Sequence, residues 1–187
     1  MTRIVFGVSG ASGMPLAQNV LGCRACISGL EIHLIVSEAA KCTFQEECGL
    51  DASALAQYAS CVYPASDMGA APASGSWQNC GMIVCPCSMS SLGAIANGVG
   101  TTLLHRAADV TLKERRPLLL VARETPLNLV HLRNMCAATE AGAIIMPFVP
   151  AFYTGEYSMQ AAMRQFTGRM MDLLHIPHPL CKRWKGA

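Results

Sequence analysis

Charged residues are scarce in this chain of 187 residues: they make up 14% of it, against 52% hydrophobic residues. Soluble domains ordinarily carry about 25% charged residues. A monomer with so few charges cannot cover its surface with them, so the chain either enters a membrane or buries surface against copies of itself. The longest uncharged stretch, residues 68–105, is broken by Pro72 and Pro86, whereas a membrane-spanning helix needs about 20 predominantly apolar residues. We therefore expect a homo-oligomer and no membrane partner.

Sequence features typical of secreted, nucleic-acid-binding and zinc-binding proteins are also missing. No basic segment followed by an apolar run and a cleavage site opens the chain, which predicts a cytoplasmic protein. The net charge is only +2, and the densest basic run, residues 113–116, is too short for nucleic-acid binding. Ten cysteines without a secretory leader indicate reduced thiols. Neither the C-x-x-C at Cys23 nor the C-x-C at Cys85 completes a zinc-ligand set, so no metal is expected.

What the sequence does contain is an alternation of apolar runs and amphipathic segments. Apolar runs that are typical of buried parallel strands occupy residues 3–8, 31–36, 82–85, 117–122 and 143–146. Between them, helices are predicted to begin at Pro15, at Ser37 and at Thr125, where Thr125 would be the N-cap and Pro126 the first helical residue. Residues 63–76, rich in Ala, Pro, Ser and Gly, are predicted to form a loop.

Strands that alternate with helices favour right-handed βαβ units. We therefore predict a single α/β domain over residues 1–187, built on a doubly wound parallel sheet. The first helix is expected to run from Pro15 to Gly29. The last helix is predicted over about residues 158–174, burying Met159, and the tail 175–187 is expected to pack on the oligomer.

Polar residues follow every predicted strand, at Ser9–Gly13, at Ser37, at Ser88–Ser91, at Arg123 and Glu124, and in the segment that ends at Tyr153. Ligands of such sheets bind outside the carboxyl ends of the strands. Serine hydroxyls and amides at helix N-termini hold phosphate, and an arginine adds a charge-assisted contact.

The glycine spacing after the first strand is neither that of a dinucleotide-binding turn nor that of a P-loop. Ser37 stands where a dinucleotide-binding protein would place an acidic residue for the ribose. The residues therefore predict a mononucleotide site.

Four segments, "GVSGASG", "PCSMSSLGAIANG", "RAADVTLKERRPLLLVARETPLNLVHLRNM" and "GAIIMPFVPAFY", resemble the UbiX-type flavin prenyltransferases. The resemblance spans residues 3–184. It implies a flavodoxin-like (Rossmann-like), three-layer fold, assembled as trimers within a dodecamer with FMN bound between subunits. Reduced FMN would be a substrate that dimethylallyl phosphate alkylates at N5 and then at C6. The prenylated FMN would serve a UbiD-type aromatic-acid decarboxylase, and no metal would be needed.

The resemblance also implies a role for individual residues. FMN contacts fall on Gly10, Ala11, Ser12, Ser37, Ser88, Met89, Ser90, Ser91 and Arg123. The dimethylallyl phosphate site falls on Tyr153, Arg169, Arg106 and Lys113. Glu47 and Glu124 match the catalytic carboxylates, and Ser12 and Tyr153 complete the catalytic set. Cations and a phenol of this kind stabilise the oxygens of a departing phosphate, while a carboxylate accepts a proton.

The sequence alone leaves two other functions open. An FMN-dependent cysteine-type decarboxylase would have the same fold, but the corresponding segments here read "SEAAKCTF" and "ARETPLNL" in place of its active-site histidine and its "PAMN"-like motif. A non-catalytic, FMN-binding accessory subunit of a hydroxyaryl-acid decarboxylase would leave the phosphate cations and Tyr153 without a purpose. One departure from the family is Met68, where some relatives place an aromatic residue over the isoprenoid.

Overall fold

A six-stranded, all-parallel sheet forms the centre of the computed structural model, which describes residues 2–184 and 186. The strands are β1 Thr2–Val8, β2 Leu30–Val36, β3 Cys61–Pro64, β4 Met82–Cys87, β5 Leu118–Ala122 and β6 Ile144–Ile145. Their order is β3-β2-β1-β4-β5-β6. This is the Rossmann order, and without the edge strand β3 the remaining five strands have the flavodoxin order.

Six helices cover the two faces of the sheet. They are α1 Met14–Gly22, α2 Glu38–Cys48, α3 Met89–Ala96, α4 Leu103–Lys113, α5 Leu129–Glu140 and α6 Met159–Leu173. The buried side chains of α1, α2 and α6 pack on one face, and those of α3, α4 and α5 on the other. The predicted three-layer, doubly wound fold is therefore confirmed. None of the described helices combines the length and the apolarity that a bilayer crossing requires.

Strand β3 lies where the sequence predicted the start of a loop. Its four residues alternate between half-buried and exposed, so they form no apolar run of the kind that marks a strand covered on both faces. It pairs with β2 alone, at the edge of the sheet, which is also where a proline such as Pro64 is tolerated.

The predicted start of α5 at Thr125-Pro126 is wrong. Asn128 caps this helix instead: its side chain accepts a hydrogen bond from the His131 amide at 2.9 Å, and the His131 ring accepts one from the Asn128 amide at 3.3 Å. This reciprocal pair satisfies two amides of the helix start, which a threonine cap alone does not do. Thr125 and Pro126 lie in the connection that leads from β5 to the helix.

The first helix is shorter than predicted. It ends at Gly22, and Cys23–Cys26 tighten into a 3-10 turn, a common ending for an α-helix. Gly29, with φ +74°, then supplies the left-handed residue that leads into β2.

The last helix agrees with its predicted range to within one residue at each end. Met159 is 65% exposed and not buried as predicted, because it occupies the first turn of α6 at the rim of a cavity. Ile176 and Leu180 of the tail are buried in the subunit's own core. Contact of the tail with other subunits stays a prediction, and Lys185 and Ala187 lie outside the described residues.

The capping geometry predicts that Asn128→Ala lowers the free energy of unfolding by about 1 kcal/mol. Thr125→Ala, the matched control, removes a side chain that does not cap α5 and should change it by less than about 0.5 kcal/mol. Urea unfolding at a fixed protein concentration measures both values. A loss from Thr125→Ala as large as that from Asn128→Ala would contradict the assignment of the cap.

Candidate active site

The hydroxyl of Ser9 joins the loops that follow the two central strands. It donates a hydrogen bond to the Pro86 carbonyl at 3.0 Å and accepts one from the Ser88 amide at 2.8 Å. The Ser9 amide also donates to the Pro86 carbonyl, at 3.2 Å. Ser9 is buried, so its hydroxyl serves this connection and not a ligand. The loops after β1 and β4 therefore form one rigid rim.

The loop after β1 lies directly against the start of α2. A Cβ atom at Gly10 would lie 2.4 Å from the Cβ atom of Ala39, so only glycine fits there. Gly13 has φ +117°, and it turns the chain into α1. Ala11 and Ser12 lie between these two glycines, at the carboxyl edge of the sheet.

The carboxylate of Glu47 binds the N-terminus of α1. It accepts hydrogen bonds from the amides of Gly13 at 2.9 Å and Met14 at 2.8 Å, and from the Ser12 side chain. Burial would raise the pKa of Glu47, but these hydrogen bonds and the positive charge of Arg123 together lower it below its usual value. Glu47 is thus held in its ionised form. It occupies the position at this helix start where a phosphate would otherwise bind.

The starts of α2 and α3 are capped by serines. The Ser37 hydroxyl accepts a hydrogen bond from the Ala40 amide at 3.2 Å, and the Ser88 hydroxyl accepts one from the Ser91 amide, also at 3.2 Å. Met89 and Ser90 form the first turn of α3, with Ser90 exposed. A capping hydroxyl keeps its own proton for donation, so these two helix starts can bind an anion.

Beside Glu47 lies a cavity of about 480 Å³, which we call the edge cavity. Its lining residues are Ser12, Gly13, Pro15, Leu16, Glu47, Pro86, Val121, Arg123, Phe148, Met159 and Met163. The lining combines the carboxylate of Glu47 and the guanidinium of Arg123 with an apolar wall. Such a cavity suits a flat aromatic ring beside a small hydrocarbon group.

The apolar wall formed by Phe148, Met159 and Met163 was not predicted as part of the site. Phe148 lies inside the segment "GAIIMPFVPAFY" that resembles the family, but only the tyrosine of that segment was matched to the site. Met159 and Met163 carry no motif beyond a helical spacing, which predicts a core position. All three reach the cavity from the connection after β6 and from one side of α6.

Arg123 and Glu124 follow β5. The Arg123 amide donates to the Cys87 carbonyl at 3.1 Å, which fixes the end of β5 to the end of β4, and its side chain lines the edge cavity. Glu124 is exposed, and its carboxylate accepts a hydrogen bond from the neighbouring Thr125 amide at 3.0 Å. It does not line the edge cavity of this subunit.

Tyr153 and Arg169 lie on a different surface, formed by α6 and the segments packed on it, which we call the α6 outer face. The Tyr153 hydroxyl accepts a hydrogen bond at 3.1 Å from Gln165, one helical turn before Arg169. Arg169 lines a second cavity with Pro117 and Gly142, the residues that precede β5 and β6. That cavity is at the amino edge of the sheet, opposite the edge cavity. Within one subunit, Tyr153 and Arg169 are therefore separate from the residues that line the edge cavity.

Asp172 is the shared hydrogen-bond acceptor of the α6 outer face. Its carboxylate accepts hydrogen bonds from Arg169 at 2.6 Å, from Arg183 and from His178 at 3.0 Å. Burial would raise the pKa of Asp172, but these donors outweigh it and lower the pKa to about 2. Cys181 is also close. The Leu180 amide donates to Nδ1 of His178, which leaves the proton on Nε2, facing Asp172. These hydrogen bonds therefore hold the tail against α6, and the side chains of Asp172, His178 and Cys181 are not a set of free metal ligands.

The two remaining predicted cations lie on α4, on the other face of the sheet. Arg106 donates to the Ala73 carbonyl at 3.3 Å and to Asp109 at 2.7 Å. Lys113, at the end of α4, pairs with Glu114. Neither lines the edge cavity of the same subunit. Met68 lies half-exposed in the loop after β3.

The contacts of Glu47 predict how stability changes with pH. Because the folded-state pKa lies below the unfolded value, the stabilisation from Glu47 is complete above the usual pKa of glutamate, about 4.3. It is lost as the pH falls through the lower folded-state pKa. We expect Glu47→Gln to lose less stability than the unmodified protein on going from about pH 6 to about pH 3.5.

Urea unfolding across this pH range measures the effect. Glu46→Gln is the matched control, since it removes a charge from the same helix end without touching the amides of α1. If Glu47→Gln and the unmodified protein lost stability in parallel, Glu47 would not be the carboxylate that the α1 amides hold.

Known proteins share this architecture and can be aligned with nearly the whole chain. The Flavoprotein family model matches residues 1–169. The flavin prenyltransferase UbiX of Thauera aromatica is 45% identical over 184 residues, which are 98% of this chain and 94% of that protein. The solved structure of AnUbiX (PadA1) in complex with FMN and dimethylallyl pyrophosphate has a TM-score of 0.93 at 44% identity, covering 100% of this chain and 98% of that one.

A dodecameric, FMN-dependent UbiX-like decarboxylase from Escherichia coli O157:H7 has a TM-score of 0.92 at 38% identity, covering 99% of this chain and 100% of that one. Identity at this level over full-length chains extends well beyond a shared fold. The chain belongs to the flavoprotein family and, within it, to the UbiX-type flavin prenyltransferases.

Proposed function

We propose that this protein transfers a dimethylallyl group from dimethylallyl phosphate to N5 and C6 of reduced FMN, giving prenylated FMN. The observation that carries the proposal is the edge cavity: it joins an ionised carboxylate and a guanidinium to an apolar wall, next to two serine-capped helix starts. Of the relatives described above, the Thauera aromatica protein is named as a flavin prenyltransferase, and AnUbiX was solved with FMN and dimethylallyl pyrophosphate.

The residues present fit FMN. Because Glu47 already occupies the start of α1, the phosphate of FMN falls to the starts of α2 and α3, where Ser37, Ser88 and Ser91 offer hydroxyls and amides. Gly10 allows the loop after β1 to lie close to the start of α2. Arg123 lines the edge cavity, where its guanidinium can contact the isoalloxazine ring or the phosphate of FMN. Reduced FMN, when bound, supplies the nucleophile.

The donor must lose its phosphate. The allylic C–O bond breaks with its electron pair on the phosphate oxygen, and the same carbon bonds to N5 of reduced FMN, which gives up its proton. In ring closure, the double bond left in the five-carbon unit takes up a proton at one carbon and bonds to C6 at the other, and C6 gives up its proton. Arg169, Arg106 and Lys113 would stabilise the departing oxygens, and Tyr153 would donate a hydrogen bond to them. In one subunit these side chains lie away from the edge cavity, so we assign them to neighbouring subunits of the assembly.

The exposed apolar surface supports such an assembly. Leu129, Val130 and Leu132 of α5 are 45–61% exposed, and Phe152 in the connection after β6 is 70% exposed. Patches of this kind mark contact surfaces. A trimer-based dodecamer would bury them and would also account for the low charge content.

The two carboxylates are given different roles by their surroundings. Glu47, with its lowered pKa, stays ionised and stabilises positive charge on the allyl group, but it is a weak base. Glu124 is exposed and accepts a hydrogen bond only from its neighbour's amide in the described part of the chain. We therefore assign to Glu124, or to the released phosphate, the proton that ring closure removes from the flavin.

We further propose that the product passes to a UbiD-type aromatic-acid decarboxylase and that the protein works in the cytoplasm. The ten cysteines, all within the described residues, are free thiols. This suits a reducing compartment.

Anaerobic incubation of the protein with reduced FMN and dimethylallyl phosphate tests the proposal. Mass spectrometry of the extracted flavin should show an increase by one five-carbon unit. Glu124→Gln should slow the conversion by about 100-fold or more while FMN still binds. Loss of FMN binding in this variant would show that Glu124 holds the flavin, and unchanged FMN in the unmodified protein would favour an accessory subunit.

A further inference from the structure

His105 is a half-buried imidazole next to the proposed phosphate site, and the chemistry assigned above does not use it. It occupies the first turn of α4, and its Nε2 lies 3.3 Å from the hydroxyl of Ser91 in the first turn of α3. Its Nδ1 is the one buried side-chain nitrogen or oxygen without a hydrogen-bond partner among the described residues. A Cβ atom at Gly100 would lie 2.8 Å from that of His105, so the chain is closely wrapped around this side chain.

The surroundings of His105 keep it neutral. Burial lowers its pKa, and the positive end of the α4 dipole also disfavours an imidazolium in the first turn. A neutral imidazole carries one proton, on Nδ1 or on Nε2. Placing it on Nδ1 would bury an N–H donor with no acceptor among the described residues, which proteins rarely tolerate. The proton therefore belongs on Nε2, facing Ser91.

This tautomer fixes the direction of the Ser91 hydroxyl. Nε2–H donates to the Ser91 oxygen, so the hydroxyl proton cannot point at His105. The Ser91 amide is held by Ser88. Ser91 is 7% exposed, and its O–H is left to donate to whatever binds at the start of α3. Without the imidazole, the hydroxyl could turn back toward a carbonyl of its own helical turn.

We propose that His105 is a positioning residue: by donating to Ser91, it directs the Ser91 hydroxyl proton at the phosphate of FMN. The proposal rests on the proposed function, because it takes the phosphate to bind at Ser88–Ser91. His105 itself touches neither the phosphate nor the reacting atoms. Its effect passes through one hydroxyl and is confined to ligands that carry a phosphate.

Fluorescence titration with FMN and with riboflavin, which lacks the phosphate, tests this role. His105→Met fills the space without a donor and should weaken FMN binding by roughly ten-fold or more, the value of a hydrogen bond to a charged group, while riboflavin binding stays unchanged. His105→Gln keeps an N–H donor and should restore most of the FMN affinity. His33→Met, at a histidine of β2 that lines neither the edge cavity nor the cavity beside Arg169, should leave both affinities unchanged.

A double-mutant cycle with Ser91→Ala then tests whether the effect of His105 on FMN affinity depends on Ser91. In the Ser91→Ala background, His105→Met should have no further effect on FMN affinity. Equal weakening of FMN and riboflavin, no weakening of FMN, or additive effects of the two substitutions would each overturn the proposal. Failure of the unmodified protein to bind FMN at all would overturn the proposed function instead, so the two failures are distinguishable.

Discussion

The buried hydroxyl of Ser9 is the contact on which the geometry of the site depends. It accepts a hydrogen bond from the loop after β4 and donates one back to it, so the ends of the two central strands cannot move independently. In the Rossmann order these two strands flank the point where the chain reverses direction across the sheet, which is where ligands of this fold bind. The serines that cap α2 and α3 and the turn at Gly10 then keep fixed positions relative to one another.

Glu47 determines which helix N-termini at the carboxyl edge of the sheet are free to bind an anion. By binding the first amides of α1 it fills that anion position with a carboxylate of the protein itself. In the proposed function, the phosphate of FMN would therefore bind at the starts of α2 and α3, and its ring would lie in the edge cavity beside Glu47 and Arg123. One side chain on α2 would then separate the proposed phosphate site from the proposed ring site.

The sequence predicts the architecture well because long apolar runs and strand-end serines are local signals. Predictions failed where a local signal competed with tertiary context. Strand β3 lacks an apolar run because it lies at the edge of the sheet. Thr125-Pro126 resembles a helix start, but Asn128 with His131 makes the better cap. The grouping of Tyr153 with Arg169 came from the family resemblance alone. Their distance from the edge cavity depends on how α6 crosses the sheet, which no spacing along the chain reveals.

In the proposed function, each active site is shared: the carboxyl edge of one subunit would bind FMN, and the α6 outer face of another would bind the donor phosphate. Mixing subunits that carry Arg123→Ala with subunits that carry Arg169→Ala, after dissociation and reassembly, tests this directly. Each variant alone should be inactive, and the random mixture should recover about a quarter of the unmodified activity, because intact halves then meet by chance in a symmetric assembly. A mixture as inactive as its components would contradict the shared site.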